Sequence, residues 1–473
     1  MIFTSVIFLF LFLPIVLIAS IAMPIRIRNV ILLFASLFFY AWGESEIVVI
    51  MIASILLNYT VGVMMNQPSE RRKLILTIGI VLNLGLLFWF KYFNFLFDNV
   101  NNFLELTGAD KLHLDKIHLP IGISFFTFQG ISYIVDVYRN QAKAQMNPIK
   151  IGLYISLFPQ LIAGPIVRYT DIMDQIDKRR TTLDRLFEGG KRFIVGFAKK
   201  VIIANGAAQI ADAVFDSNVG ELSSLAAWVG IIAYTIQIYF DFSGYSDMAI
   251  GLGKILGFDF EENFNFPYVA RSIRDFWRRW HISLSTWFRD YLYIPLGGNK
   301  KGERRTYLNL LIVFVLTGFW HGASWSYMFW GVFHGLFLII ERLGFSTILS
   351  KMIAPLQHLY LLLVVMIGWV FFRIEDITDA FDYLGVLFGN GSGGSVLPFV
   401  NNYTLFALLL GFIFSVNIKQ GIQFIESSSG LSRFRVYMEL RTVLYLLFLF
   451  LIFFFSITEI ASDTYNPFIY LRF

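Results

Sequence analysis

The sequence predicts an all-α fold made of membrane-spanning helices, a polytopic integral membrane protein. Hydrophobic residues make up 57% of the 473 residues, charged residues only 15%, and the mean hydropathy is +0.65. A chain with so few polar residues cannot cover a soluble particle with polar surface. Apolar runs long enough to cross the hydrocarbon core of a bilayer recur along the whole sequence. The lipid bilayer is therefore the expected surroundings of this protein.

The apolar runs begin near the N-terminus and continue almost to the end. The first five cover residues 2–23, 30–42, 47–65, 74–90 and 119–135, and more follow between residues 151 and 457. Counting them gives about 11 to 13 membrane segments in a single domain over residues 1–473. Residues 30–42 are short, and 151–167 are interrupted by Pro159 and by Gly164-Pro165. Some segments are therefore expected to be re-entrant, which is tolerated where protein shelters the backbone.

The placement of charge predicts the orientation of the chain. Residues 1–23 carry no charged side chain and no A-x-A-like cleavage site, which favours an uncleaved first helix. Basic residues fall in alternate connections, at 26–28, 71–73 and 139–150, and again at 178–200. By the positive-inside rule these connections are cytoplasmic and the N-terminus is extracytoplasmic. Because topology accounts for the net charge of +5, no nucleic-acid partner is expected.

One histidine, His321, lies within an apolar region. Residues 317–325 read Thr-Gly-Phe-Trp-His-Gly-Ala-Ser-Trp, and apolar runs flank them on both sides. Ionisable groups inside membrane segments are rare and costly, and they usually face a bundle interior or a water-filled cavity. Imidazole is also the side chain whose unperturbed pKa lies nearest neutrality, which suits a general base. His321 is therefore the first candidate catalytic residue.

Residues 271–291 are predicted to form one amphipathic helix. Aromatic and aliphatic side chains recur there at spacings of three and four, which is typical of one helical face. A second stripe with the same spacing consists of Arg274, Arg278, His281 and Ser285. Two interpretations stay open: an interfacial helix with arginines at the lipid headgroups, or a site that binds a phosphate-bearing donor. The glycines in 293–299 are expected to end the helix in a turn.

Other polar residues interrupt the apolar segments. Asp241, Ser243 and Asp247 follow the apolar run 225–238, where they either perform acid-base chemistry or cap the start of a helix. His334 is interpreted mainly as a packed core histidine. The chain has no cysteine, which excludes thiolate metal sites and a thioester intermediate on the protein itself. No bound metal is expected.

The order of these motifs resembles the membrane-bound O-acyltransferase family, and within it the bacterial branch that includes the membrane subunits of alginate and peptidoglycan O-acetyltransferases. Six collinear segments carry the resemblance and cover nearly the whole chain. They are residues 90–95 (FKYFNF), 119–129 (LPIGISFFTFQ), 158–168 (FPQLIAGPIVR), 241–247 (DFSGYSD), 276–285 (FWRRWHISLS) and 320–322 (WHG).

The resemblance implies a helical enzyme of the bacterial cytoplasmic membrane with a central tunnel. His321 is then the catalytic histidine and His281 the second catalytic position. The residues expected to bind the donor or line the tunnel are Trp320, Arg274, Arg278, Ser285, Asp241, Ser243, Gln129 and His334. Members of this branch take an acetyl group from a cytoplasmic thioester, with acetyl-CoA as the expected donor, and export it toward an extracytoplasmic glycopolymer. Since no soluble esterase-like domain is recognised in the chain, the expected partner is an extracytoplasmic SGNH-like acetyltransferase.

Three other functions stay open at the level of sequence. A related branch transfers D-alanyl groups to teichoic acid and carries a similar histidine-containing helix, so that helix does not separate the two. A proton- or ion-coupled transporter would use Asp241, Asp247, His281 and His321 as a relay. A structural scaffold for a polysaccharide synthase would need the histidines only as packed core.

Overall fold

A computed structural model describes residues 1–391, 393, 397–418, 435–462, 467 and 469. This part of the chain consists of helices and loops without a β-strand, so the predicted all-α class is confirmed. The α-helices are α1 Leu13–Ile21, α2 Ile25–Ala41, α3 Val48–Met64, α4 Arg72–Leu87, α5 Phe93–Leu106, α6 Ile123–Tyr138, α7 Pro148–Ser156, α8 Phe158–Leu161, α9 Tyr169–Ile172, α10 Gln175–Lys178, α11 Leu183–Ala198, α12 Asn205–Phe215, α13 Ser224–Leu256, α14 Ile273–Arg279, α15 Ile282–Phe288, α16 Glu303–His321, α17 Trp325–Ile340, α18 Ser346–Lys351, α19 Ala354–Arg373, α20 Ile377–Gly385, α21 Asn402–Phe414 and α22 Arg435–Ser462. Turns of π-helix occupy Phe8–Phe12, Phe88–Tyr92, Lys199–Ala204, Arg289–Tyr293, Glu341–Phe345 and Val386–Asn390, and 3-10 turns occupy Val219–Glu221, Pro267–Val269 and Leu397–Phe399.

Within the described ranges, six helical stretches are long and apolar enough to cross a membrane. They are Arg72–Leu106, Leu183–Phe215, Ser224–Leu256, Trp325–Lys351, Ala354–Arg373 and Glu439–Ser462. Three shorter apolar helices accompany them, at Phe8–Ile21, Val48–Met64 and Asn402–Phe414. The chain is therefore a multi-pass membrane protein. The larger number from the sequence, about 11 to 13 segments, also includes shorter runs and stays a prediction.

Helix α13 lies in the interior and packs closely against α11. A Cβ atom on Gly244 would lie 2.7 Å from the carbonyl oxygen of Gly196, and one on Gly251 would lie 2.6 Å from that of Gly189. Small residues at helix contacts permit this close approach in membrane proteins. Gly257, with a φ of 93°, ends the helix in the left-handed conformation that glycine adopts without steric cost. The packed pair forms the support behind the site described below.

Asp241 lies in the middle of α13, so the predicted capping of a helix start by this segment is wrong. Its carboxylate pairs with Lys200 at 2.8 Å, and the two side chains are 1% and 3% exposed. Asp247 pairs with Lys199 at 2.7 Å and with Arg192 at 2.8 Å. Pairing offsets the cost of burying these carboxylates. The helix therefore does not have to end at them, and it continues through both residues.

The connections predicted to be cytoplasmic lie together on one side of the molecule, which we call the basic face. Arg28 donates to Thr181 Oγ1 at 3.2 Å, and Arg72 donates to the carbonyl oxygen of Val137 at 2.9 Å. The basic face comprises Arg28, Arg72, Arg139, Lys150 and Arg168 with their partners. These contacts bring the basic connections together, and their cytoplasmic location stays a prediction.

The predicted break within 158–168 is confirmed. Residues 157–167 are all buried, and Leu157 leaves the helical conformation with φ −52° and ψ 112°. At Gly164 an added Cβ atom would lie 2.6 Å from the Cα of Gln160. The backbone N–H of Ile166 donates to Ser283 Oγ at 3.0 Å. The irregular backbone is thus sheltered by protein and joined to α15, next to His281.

Candidate active site

His321 is the last residue of α16 and lies deep in the interior, 2% exposed. The chain turns at the following residue and returns as α17, which packs along α16. Glycines make this approach possible: a Cβ atom on Gly318 would lie 2.2 Å from the carbonyl oxygen of Tyr327, and one on Gly331 would lie 2.3 Å from that of Phe314. The close pairing of the two helices therefore fixes the position of His321.

His281 lies at a break between two short helices, so the prediction of one continuous helix over 271–291 is wrong. Helix α14 ends at Arg279, and His281 takes a left-handed conformation with φ 44° and ψ 55° before α15 begins. For a residue with a side chain this conformation costs roughly 1–2 kcal/mol. Such strain persists only where the surroundings enforce it, and it is concentrated at functional sites.

The loop before α14 enforces the break, through Asn263. The backbone N–H of Ile282 donates to the Asn263 carbonyl oxygen at 2.9 Å. Asn263 Oδ1 accepts a hydrogen bond from Ser283 Oγ at 2.9 Å and lies 3.1 Å from His281 Nδ1, while Nδ2 donates to Ser246 Oγ at 3.0 Å. Because this oxygen can only accept, Nδ1 carries the hydrogen, and Nε2 is the proton-accepting nitrogen of a neutral His281 ring.

Both histidines line one cavity of about 260 Å³. Their ring centroids are 6.5 Å apart. Phe242 of α13 packs edge-on against His281 at 4.6 Å, and Phe372 of α19 packs against His321 at 5.1 Å. The aromatic walls hold the two rings in place, and a small substrate between them is within reach of both.

Arginines line the mouth of the same cavity. All four residues of the predicted polar stripe, Arg274, Arg278, His281 and Ser285, contribute to its lining, although α14 and α15 are separate helices. Arg342, which follows α17, joins them. Arg274, Arg278 and Arg342 are exposed, and no carboxylate of the described residues forms an ion pair with them. The mouth is therefore cationic, which suits an anionic ligand.

Arg342 is a lining residue that no sequence pattern predicted. It comes from a different part of the chain, directly after Glu341, whose carboxylate accepts hydrogen bonds from the backbone N–H groups of Ile273 and Arg274 at 2.6 and 3.1 Å. That contact brings the start of α14 to the end of α17. No local pattern in the sequence signals a partnership between two such distant segments.

Five other predicted site residues are not among those that line this cavity, and their role in binding the donor or lining a tunnel stays a prediction. They are Trp320, Asp241, Ser243, Gln129 and His334. Trp320 lies beside it, with its ring 6.3 Å from that of His281. His334 is 1% exposed and packed between Trp277 and Trp330, each at 5.1 Å. The cavity lies on the arginine side of His321. A passage from His321 to the opposite face, which the predicted tunnel requires, stays a prediction.

A buried lysine next to His321 was also missed. Lys91 lies in the π-helical turn Phe88–Tyr92 and is 7% exposed. Its ammonium group donates to Ser124 Oγ at 3.1 Å and to the carbonyl oxygen of Trp320, the residue before His321. Cations stabilise the carbonyl groups that end a helix, and π-helical turns often mark functional positions. Lys91 thus fixes the end of α16 that carries His321.

The helices, the cavity and its two histidines define a class of protein. The sequence model of the MBOAT, membrane-bound O-acyltransferase family matches residues 34–377. That match covers more than half of the chain, which therefore belongs to the membrane-bound O-acyltransferase family. The protein is an acyltransferase of the membrane.

Three named relatives are similar to the chain over most of its length. The chain is 40% identical, over its full length and that of the relative, to a protein of Azotobacter vinelandii named "probable alginate O-acetylase AlgI". A protein of the same name in Pseudomonas aeruginosa is 45% identical over 83% of this chain and 76% of its own. The peptidoglycan O-acetyltransferase of Helicobacter pylori is 37% identical over 82% of this chain and 80% of its own.

Proposed function

We propose that this protein is an O-acetyltransferase that takes an acetyl group from cytoplasmic acetyl-CoA, bound at the arginine mouth, and passes it toward an extracytoplasmic glycopolymer. The observation that carries this proposal is the single cavity that joins an exposed arginine mouth to two buried histidines. The names of relatives that align along most of the chain support acetyl as the group transferred and a polysaccharide or peptidoglycan as the polymer. We place the basic face on the cytoplasmic side of the membrane, in agreement with the positive-inside rule.

The cavity geometry supports the following reaction. His321 takes the proton of an acceptor hydroxyl while the hydroxyl oxygen attacks the thioester carbonyl carbon. A C–O bond forms, the C–S bond breaks, and the CoA thiolate takes the proton back from His321, so that an ester and free CoA thiol are produced. His281, whose Nδ1 donates to Asn263, accepts a hydrogen bond from the acceptor at Nε2 and so orients it for attack.

The arginine mouth supplies binding for the phosphates of acetyl-CoA. Guanidinium groups form charge-assisted, often bidentate hydrogen bonds with phosphate. Apolar side chains between the mouth and the histidines, including Leu310, Val313 and Phe314, line the path that a thioester arm would follow. The donor is thereby held with its charged end at the surface and its acetyl group inside.

Replacing Arg274, Arg278 or Arg342 by glutamine tests this arrangement. We expect each change to raise the KM for acetyl-CoA about tenfold, because a charge-assisted contact to phosphate is lost. The kcat at saturating donor should stay within about twofold, since these contacts form in the ground state as well as in the transition state. The measurement is transfer of radiolabelled acetyl from acetyl-CoA to polymer in membrane vesicles from cells that make the native polymer.

Arg71→Gln is the matched control, because Arg71 is exposed and does not line the cavity. Its KM should equal that of the unchanged protein. If the three mouth variants keep the KM of the unchanged protein, the donor enters elsewhere and the proposed binding mode is wrong.

Lys91→Met tests the support of the catalytic histidine. We expect kcat to fall about 10- to 100-fold with an unchanged KM for acetyl-CoA, because a hydrogen bond from a charged group is lost at the end of α16. Lys111→Met is the control, since the Lys111–Glu105 pair is about half exposed and such pairs contribute little to stability. A raised KM, or a normal kcat in folded Lys91→Met protein, would contradict this role of Lys91.

Delivery to the final polymer requires a receiver on the other face. We propose an SGNH-like acetyltransferase as that partner, because none of the helical segments described here has the form of a soluble esterase domain.

The D-alanyl alternative is less well supported, since the relatives that align along most of the chain are named for O-acetyl transfer. The transporter relay is less well supported as well, because Asp241 and Asp247 are held in ion pairs with Lys200 and Lys199.

A further inference from the structure

A second cationic pocket lies at the start of α11, on the basic face. It has a volume of about 560 Å³ and shares no lining residue with the histidine cavity. We call it the Arg179 pocket. Its lining includes the cations Lys178, Arg179, Arg180 and Arg185, together with Asp174, Asp259 and Thr182.

Arg179 is the buried base of this pocket, only 7% exposed. Its guanidinium group stacks over the Phe258 ring at 4.4 Å, and Nη1 donates to the carbonyl oxygen of Ile176 at 2.6 Å. Nε and Nη2 are buried and have no hydrogen-bond partner among the described residues. Burial, reinforced by the neighbouring Arg28, lowers the pKa of Arg179 to about 9. A buried cation with unused donors is costly unless a ligand supplies acceptors.

The acidic residues of the pocket are already paired. Asp259 lies 2.8 Å from Arg185, and Asp174 lies 3.7 Å from Lys178. No carboxylate of the described chain forms an ion pair with Arg179 or Arg180. Asp177 acts on Arg179 only at longer range. The pocket therefore keeps two guanidinium groups without an ion-pair partner among the described residues, which suits an anion with several acceptor oxygens, above all a phosphate.

The surroundings of the pocket place it beside the lipid. Leu183, directly after Thr182 of the pocket, is 82% exposed, and Phe187 one turn later is 52% exposed. The hydrogen bond from Arg28 to Thr181 brings the start of α2 to the same place, where Ile27 is 48% exposed. Exposed apolar side chains beside a cationic pocket are the arrangement expected where acyl chains and headgroups meet.

We propose that the Arg179 pocket binds a phosphate ester at the membrane surface, independently of the histidine cavity. An anionic phospholipid headgroup and a soluble phosphate are the two sources of this group. The phosphate oxygens accept from Arg179 Nε and Nη2 inside the pocket, and Arg180 neutralises the remaining charge at its rim. The proposal does not depend on the acetyl-transfer reaction, and its test does not use activity.

The test measures thermal unfolding of the full-length protein in dodecyl maltoside micelles, whose detergent carries no phosphate group. Two probes are titrated separately: phosphatidylglycerol in the micelles and inorganic phosphate in the buffer. We expect a rise of the unfolding temperature that saturates with the probe, since a ligand bound only to the folded state stabilises it. Saturation with phosphatidylglycerol alone identifies a lipid headgroup, and saturation with inorganic phosphate identifies a soluble ligand.

Arg179→Gln and Arg180→Gln should each raise the apparent dissociation constant of the effective probe about tenfold. Arg180 is exposed, so its variant stays informative even if Arg179→Gln folds poorly. Arg26→Gln, an exposed basic residue of α2 outside the pocket, should bind like the unchanged protein. Equal affinity in all three variants, or no saturable stabilisation by either probe, would overturn the proposal.

Discussion

Replacing His321 by alanine is expected to lower acetyl transfer by about 10²- to 10⁴-fold, the usual contribution of a general base. The ring lines the cavity at the end of α16 and is the one group that the proposed reaction uses for both proton transfers. His321→Gln, which keeps most of the side-chain volume, should show the same loss. The measurement is polymer acetylation in membrane vesicles, normalised to the amount of folded protein.

His358→Ala is the matched control for the loss of a histidine, because His358 lies on α19 and does not line the cavity. Solute flux across the same vesicles separates the enzyme from a transporter. Normal acetylation with impaired flux in the His321→Ala protein would contradict the acyltransferase mechanism proposed for this histidine. Normal acetylation and normal flux in a folded variant would show that His321 is only a packed core residue, as expected for a structural scaffold.

His281→Gly and His281→Ala are expected to lose acetyl transfer to the same extent, about 10²-fold, because the acceptor is no longer oriented. Their stabilities should differ. At a φ of 44° alanine is strained and glycine is not, so the glycine variant should be more stable by about 1 to 2 kcal/mol. Chemical denaturation compares the two, and the acetylation assay above measures the activity.

The pair of variants separates the ring from the backbone turn. Both lack the imidazole, and they differ only by one methyl group at a left-handed position. If the glycine variant keeps normal activity, the break in the helix is the functional feature and the imidazole is not. If the two variants are equally stable, the left-handed turn at His281 contributes no strain to the folded state.

Much of the site follows from spacing along the sequence. Arg274, Arg278, His281 and Ser285 were grouped by a helical period, and all four line one cavity with His321. The grouping survives even though the helix is broken, because α14 and α15 both contribute residues to the lining of the cavity. The prediction of one continuous helix over 271–291 is wrong, because the hydrogen bonds that hold the break come from Asn263 in a separate loop.

The residues that the sequence did not reveal act through distant contacts. Lys91 reaches the carbonyl oxygen of Trp320, and Arg342 joins the mouth through the neighbouring Glu341. Asp241 resembles a catalytic carboxylate in the sequence, and in the structure it is neutralised by Lys200. A lone charge in an apolar run indicates that a partner exists and does not indicate which residue it is.

The amino-acid sequence alone determined the membrane environment, the helical class, the acyltransferase family and the histidine to test first. These depend on composition, on local period and on collinear motifs, all of which are properties of neighbouring residues. Only the tertiary structure decided which charges are paired, which line a cavity and where a helix breaks at His281. Those outcomes depend on contacts between segments far apart in the chain, which packing in three dimensions selects and local preference does not.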